Sequence, residues 1–485
     1  MNNPLSILEP KSLWNHFANL NAVPRASKKE EQVIQFVKQF GESLGLPTSV
    51  DATGNVLIKK PATAGLENRI TVVLQSHLDM VHQKNADTTF NFDKQGIEMF
   101  VDGDWVKAKG TTLGADNGIG VSAIMALLEA KNIPHPAIEA LFTIDEETGM
   151  TGALGLRGGL LDGRILLNLD TEDDTELTIG CAGGIDVTAT GKYSALSNTS
   201  GNGYVIKVYG LTGGHSGMDI HKGRGNANKI MNRLLMGASE NYSGRIISID
   251  GGSLRNAIPR ESNAELLISE SDETDFLLWI SEQVMEIKQE FITTDPDLQI
   301  TIEGEDIKNS PMGGQFQKNL LSALEICHNG VYSMSKEIEG LVQTSNNLAR
   351  VLVKNGTYTI MCLTRSSVDT EKMELADKIK KAFVNCQSDV KFSGSYPGWT
   401  PDPNSSITSL MHKLFVKRFG EEPNVNACHA GLECGILGTH YPGMEMISFG
   451  PNIRGAHSPD ECVQISSVQK FWGFLLQVLE EIPAA

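Results

Sequence analysis

Three short runs dominated by apolar residues, Val72–Leu74, Ile138–Ile144 and Ile165–Leu169, constrain this chain most. Each has strand length and little polar alternation, as expected of strands buried on both faces. Ile119–Ala130, between the first two, is a helix by composition. Val33, Ile34, Phe36, Val37 and Phe40 mark an earlier amphipathic helix, with Ser27-x-x-Glu30 before it reading as a capping box. Strands alternating with helices predict an α/β fold with a mostly parallel sheet and helices on both faces.

Two polar, turn-rich stretches interrupt the alternation, Ser194–Gly203 and Ser393–Ser406. They predict one domain in two pieces, residues 1–190 and 398–485, with an α+β domain inserted at 191–397. The insert carries its own strands (Tyr204–Tyr209, Tyr358–Leu363) and helices (Asn228–Leu235, Lys372–Phe383). Beyond it come a helix with Leu410, Met411, Leu414 and Phe415 inward, a strand Met444–Phe449 and a last helix Val468–Ile482. A chain of 485 residues has room for such domains, each with a core.

Charge narrows the function classes. With 41 Lys plus Arg against 59 Asp plus Glu, the net charge is −18, which argues against a nucleic-acid or anionic-membrane surface. No run approaches the roughly 18 apolar residues that span a bilayer. Met1–Leu5 does not read as the start of a secretory leader. The seven cysteines, an odd number without Cys-x-x-Cys, read as reduced thiols of a cytoplasmic protein.

The residues that can carry chemistry lie just past strand ends, where an α/β sheet places its sites. His77 and Asp79 share a face in extended backbone, so Asp79 can accept the proton on the far nitrogen of His77. Asp116 sits in the glycine-rich turn Gly110–Gly120, where it is either a helix N-cap or a short carboxylate bridging two cations. Asp145-Glu146-Glu147 follows a strand, as a solvated acidic loop or as one ligand beside one base. Asp170 ends Ile165–Asp170, and His457 lies in the loop Gly450–Pro459. Taken together, two His and several carboxylates without thiolate form a donor set for Zn²⁺, Mn²⁺ or Co²⁺. One carboxylate bridging two cations fits a two-metal hydrolase.

His77-Leu-Asp79, Gly114-Ala-Asp116-Asn-Gly118, Glu146-Glu147, Asn168-Leu-Asp170 and His457 resemble, in order and spacing, the M20 metallopeptidases. The likeness is greatest to the bacterial aminoacyl-histidine dipeptidases and covers essentially the whole chain. Gly213-Gly-His-Ser-Gly217, Leu254–Arg260, His429–Gly435 and His457-Ser-Pro-Asp-Glu461 support it. The resemblance implies a bridging Asp116 and allows a cis bond to Asn117. It assigns His77 and Asp170 to one ion, Glu147 and His457 to the other, Asp79 to orienting His77, and Glu146 to the general base. It likens the insert to a lid domain in which His215 stabilises the oxyanion and Asn256 and Arg365 hold a substrate carboxylate. From residues alone, His215 reads first as an incidental histidine in a Gly- and Ser-rich turn and Arg365 equally as a surface ion pair, while Cys428 beside His429 is a small buried thiol rather than a nucleophile. The implied activity is hydrolysis of unblocked dipeptides, Xaa-His and β-alanyl-histidine above all, by a homodimer with two divalent ions, Zn²⁺ first. The alternative on the same scaffold is an N-acyl amino acid deacylase.

Overall fold

The structure, a computed structural model, describes residues 4–197, 200–307 and 309–485. The chain forms two compact units: residues 1–180, 401–427 and 432–485 make one, and residues 181–400 with 428–431 make the other. The stretch Ser194–Gly203, whose Asn198 and Thr199 lie outside the described residues, falls within the second unit between strands Gly183–Lys192 and Asn202–Tyr209.

The first unit is built on an eight-stranded sheet. Its order is Thr48–Val50, Val56–Lys60, Ile138–Thr143, Val72–His77, Ile165–Asn168, Glu445–Ser448, Glu176–Cys181, Asn424–Cys428. The four strands from Ile138–Thr143 to Glu445–Ser448 are parallel, and their neighbours on either side pair antiparallel. Every residue of Val72–His77, Ile138–Thr143 and Ile165–Asn168 is buried, which is why these strands read as continuous apolar runs. The flanking antiparallel strands Thr48–Val50 and Val56–Lys60 left no comparable signal, being short and joined by a turn at Gly54.

Helix Ala115–Glu129 is buried on nearly all sides and packs on Lys11–Asn21 and the His77 strand, as a helix apolar all round must. The final helix Ile465–Glu481 buries Val468, Phe471, Leu475 and Val478, and its Phe474 stacks edge-on against Phe415 and Phe449. A small four-stranded sheet, ordered Ile453–Arg454, Cys462–Gln464, Trp105–Ala108, Met99–Asp102, holds both ends of the loop that carries His457.

The capping box is not realised. Helix Glu31–Ser43 starts without a side-chain cap. Glu30 instead accepts the Lys28 N–H, and the Ser27 hydroxyl donates to Asp79 at 2.8 Å. The helix begins three residues further on than a Ser27 cap requires, with Glu30 at the cap position.

The second unit has a nine-stranded sheet whose pairings are antiparallel. Its core joins that sheet to helices Ala227–Asn241, Glu273–Glu290, Gly314–Ile326 and Asp369–Ala382.

Candidate metal centre

Register places the site. His77 lies opposite Thr143 across one parallel pairing, and Gln75 opposite Asn168 across the other. The segments just beyond, carrying Asp79, Glu146, Glu147 and Asp170, therefore emerge along one edge of the sheet.

His77 is 1% exposed. Its Nδ1 lies 3.1 Å from the Asp79 carbonyl oxygen and 3.4 Å from Asp79 Oδ1. Nε2 faces Asp116 Oδ1 at 3.1 Å and Asp170 Oδ1 at 3.5 Å; with a proton kept on Nδ1 by Asp79, Nε2 is the nitrogen that a cation would take. The Asp79 carboxylate also accepts the backbone N–H of Glu146 at 3.0 Å and of Glu147 at 3.3 Å. One buried acid thereby sets both the histidine and the start of the Glu146–Gly149 helical turn. In that acidic run Asp145 is taken by Lys28 Nζ at 3.0 Å and Thr151 Oγ1 at 2.7 Å, leaving Glu146 and Glu147 to the site.

Asp116 stands between two groups. Its Oδ1 faces His77, and its Oδ2 faces His457 Nε2 at 3.3 Å, which also lies 2.9 Å from Glu147 Oε2. His77, Asp116 and Asp170 form one triad and Asp116, Glu147 and His457 a second; within each, the candidate ligand atoms lie within 4.8 Å of one another. Gly114, not Asp116, is the N-cap of the following helix. Asp116 and Asn117 depart from helical geometry, and the peptide between them is cis. Asn117 donates to Asp170 and to the Leu169 carbonyl.

The charges strain against burial. Burial favours a neutral Asp116, but hydrogen bonds from His457 and His77 hold it well below the usual range. Hydrogen bonds to Asp116 and Glu147 raise His457 to about 11. Burial pushes Glu146 well above the normal carboxylate range, with the charges of Asp170, Glu147 and Glu433 adding to it. Burial and Asp116 raise Glu147. This donor set fits a pair of divalent cations. It offers imidazole nitrogen and carboxylate oxygen without thiolate, and Glu147 Oε1 is buried without a hydrogen-bond partner.

Arg25 left no pattern in the sequence, and Glu433 and Glu461 lie in two of the segments that carry the family likeness without a role having been read for them. Arg25 and Glu461 grip the Asp116 turn. Glu433, fully buried, accepts from Gln75 Nε2 at 2.6 Å and Thr143 Oγ1 at 2.5 Å, both on one oxygen. Burial raises its carboxyl to about 8. A raised carboxyl favours the fold in its neutral form, fully below its unfolded value near 4.5 and progressively less as pH rises through 8. Glu433→Gln keeps both accepted bonds and removes this titration. Chelated protein is therefore expected to lose stability less steeply between about pH 5 and 8 in the variant, by up to about 1.4 kcal/mol per pH unit. Urea titrations across that range check it.

His215, Asn256 and Arg365 belong to the second unit. His215 Nδ1 accepts the N–H groups of Gly217 at 3.2 Å and Met218 at 3.1 Å, which puts its proton on Nε2. The Asn256 carbonyl accepts the Ser216 N–H at 2.8 Å, tying the two loops together. Arg365 is buried, donates to Tyr396 Oη at 2.8 Å, and has no acidic group within ion-pair distance among the described residues, so it is not a surface salt bridge. His429 shares a hydrogen bond with Ser345 Oγ at 2.7 Å, and burial followed by the charge of Arg365 lowers it to about 3. Its ring is committed there, while Cys428 Sγ lies against the Ala430 carbonyl. No cysteine of the chain is in a disulfide.

The family and fold follow from comparison with known proteins. The chain is 41% identical over 482 residues to the cytosol non-specific dipeptidase of Escherichia coli K12, covering 99% of each. Its structure is similar to that of an aminoacylhistidine dipeptidase from Vibrio alginolyticus, with a TM-score of 0.92, 42% identity and 99% and 98% of the two chains covered. An aminopeptidase from Bacillus cereus shares the fold at 16% identity, with a TM-score of 0.57 over 98% and 99% of the chains. Residues 73–481 match the sequence profile of peptidase family M20/M25/M40, and the chain belongs to that family of metal-dependent hydrolases.

Proposed function

We propose that this chain hydrolyses unblocked dipeptides, preferentially Xaa-His including β-alanyl-histidine. The observation that carries this reading is Asp116, whose two carboxylate oxygens each face a different histidine-containing triad. His77, Asp116 and Asp170 would hold one divalent ion, and Asp116, Glu147 and His457 the other. Bound there, a metal pair supplies Lewis acidity toward the scissile carbonyl and acidifies the attacking water. Zn²⁺ suits the donors best, with Co²⁺ and Mn²⁺ also matching.

Glu146 takes the proton from the attacking water and returns it to the leaving amine. Its raised pKa brings it toward the range where a carboxylate exchanges protons at working pH. Asp79 keeps His77 oriented and holds the Glu146 N–H. His215, with its proton on Nε2, is the donor for the developing oxyanion. Arg365 and Asn256 receive the substrate's carboxylate, for which a buried guanidinium without an acidic partner is suited. The relatives with dipeptidase names support this reading over the N-acyl amino acid deacylase. A cytoplasmic homodimer completes the proposal, and no helix is long and apolar enough to cross a membrane among the described residues.

Chelation should reduce turnover of an Xaa-His panel at least about 10³-fold, and re-addition of Zn²⁺, Co²⁺ or Mn²⁺ should restore it. Side-by-side rates on β-alanyl-histidine and N-acetyl amino acids decide the substrate class. Faster cleavage of the acetylated compounds would favour the deacylase.

A further inference from the structure

A carboxylate outside both triads grips the turn that carries the one they share. Glu461 is 3% exposed. Its Oε2 accepts the N–H groups of Leu113 at 2.7 Å and Gly114 at 2.9 Å, and its Oε1 those of Ala115 at 2.7 Å and Asp116 at 3.3 Å. Four consecutive peptide groups thus converge on one side chain. Arg25, 2% exposed, donates to the Gly114 carbonyl at 2.5 Å and to the Leu78 and Asp79 carbonyls at 3.1 Å each. Arg25 Nη2 occupies the space a side chain would need at Gly114 or Gly118, which explains these two glycines.

Asp116 and Asn117 leave helical geometry, so helix hydrogen bonds do not fix the Asp116 side chain. Only an ionised carboxylate offers acceptors on both oxygens; an amide would turn N–H groups toward two of the four donors. We infer that Glu461, backed by Arg25, is a positioning residue that sets where the Asp116 carboxylate sits between the two cation sites. The inference rests on the two-cation reading above.

Glu461→Gln and Glu461→Asp, with full-length wild type, test it through three readouts. These are amide hydrogen exchange of residues 113–116 in chelated protein, Co²⁺ affinity at each site by titration, and kcat with KM on β-alanyl-histidine. Glu461→Gln is expected to speed exchange within residues 113–116, most at the two amides that lose their acceptor, weaken the second Co²⁺ at least about tenfold and lower kcat about 10²-fold with KM little changed. Glu461→Asp, which keeps the charge on a shorter arm, should fall between it and wild type in all three. Wild-type second-ion affinity and kcat in either variant overturns the inference. Should Glu461→Gln fail to fold, Glu461→Asp decides by the same criteria. One ion per wild-type chain would overturn the two-cation reading instead, while unchanged exchange of residues 113–116 in the variants would overturn the positioning role by itself.

Discussion

Replacing Glu146 by Gln is expected to lower kcat by about 10²- to 10⁴-fold while both ions stay bound. The substitution keeps the shape of the side chain and leaves untouched the backbone N–H that Asp79 holds at 3.0 Å. It removes the ability to take up and release a proton. Burial pushes the Glu146 carboxyl well above its usual range, with neighbouring negative charges adding to the effect. Two positive ions beside it would pull the other way. Elemental analysis beside steady-state kinetics separates the roles. Full activity would end the assignment as base, and loss of metal would make Glu146 a ligand.

Asp116→Ala should be at least as damaging, by a different route. Each triad loses a member at once, and His77 and His457 lose the acid that faces both. The expected loss of metal affinity exceeds the roughly 10- to 100-fold that follows removal of an outer partner. Metal content should fall below one ion per chain, with turnover near background. Two retained ions would remove Asp116 from the site. Asp116→Asn separates charge from shape: it keeps one acceptor oxygen and should hold metal better than the alanine variant, yet well below wild type.

How much of this was legible in the sequence differed residue by residue. His77, Asp170 and the Glu146-Glu147 pair follow strands whose burial on both faces gives a plain apolar signal, so their common edge could be anticipated. Asp116 was ambiguous because a glycine-rich turn into a helix looks the same whether the acid caps the helix or faces two histidines. The difference lies in Arg25 and Glu461, which act on backbone groups and impose no spacing rule. Ser27 misled for a related reason. The Ser-x-x-Glu signature is local, whereas the acceptor that takes its hydroxyl, Asp79, lies 52 residues away. Parallel pairing was legible in the middle of the sheet and not at its edges. Strands such as Thr48–Val50 owe their place to a hairpin rather than to an apolar run.

The strand order has a consequence for how the molecule is made. Glu445–Ser448 does not extend the sheet but slots between Ile165–Asn168 and Glu176–Cys181, both synthesised long before it. His457 follows it. The place between those two strands can be filled only after the whole insert has been made, and the second triad cannot form before His457 is made. Filling that place requires contacts of very large sequence separation, which makes it a slow, late step.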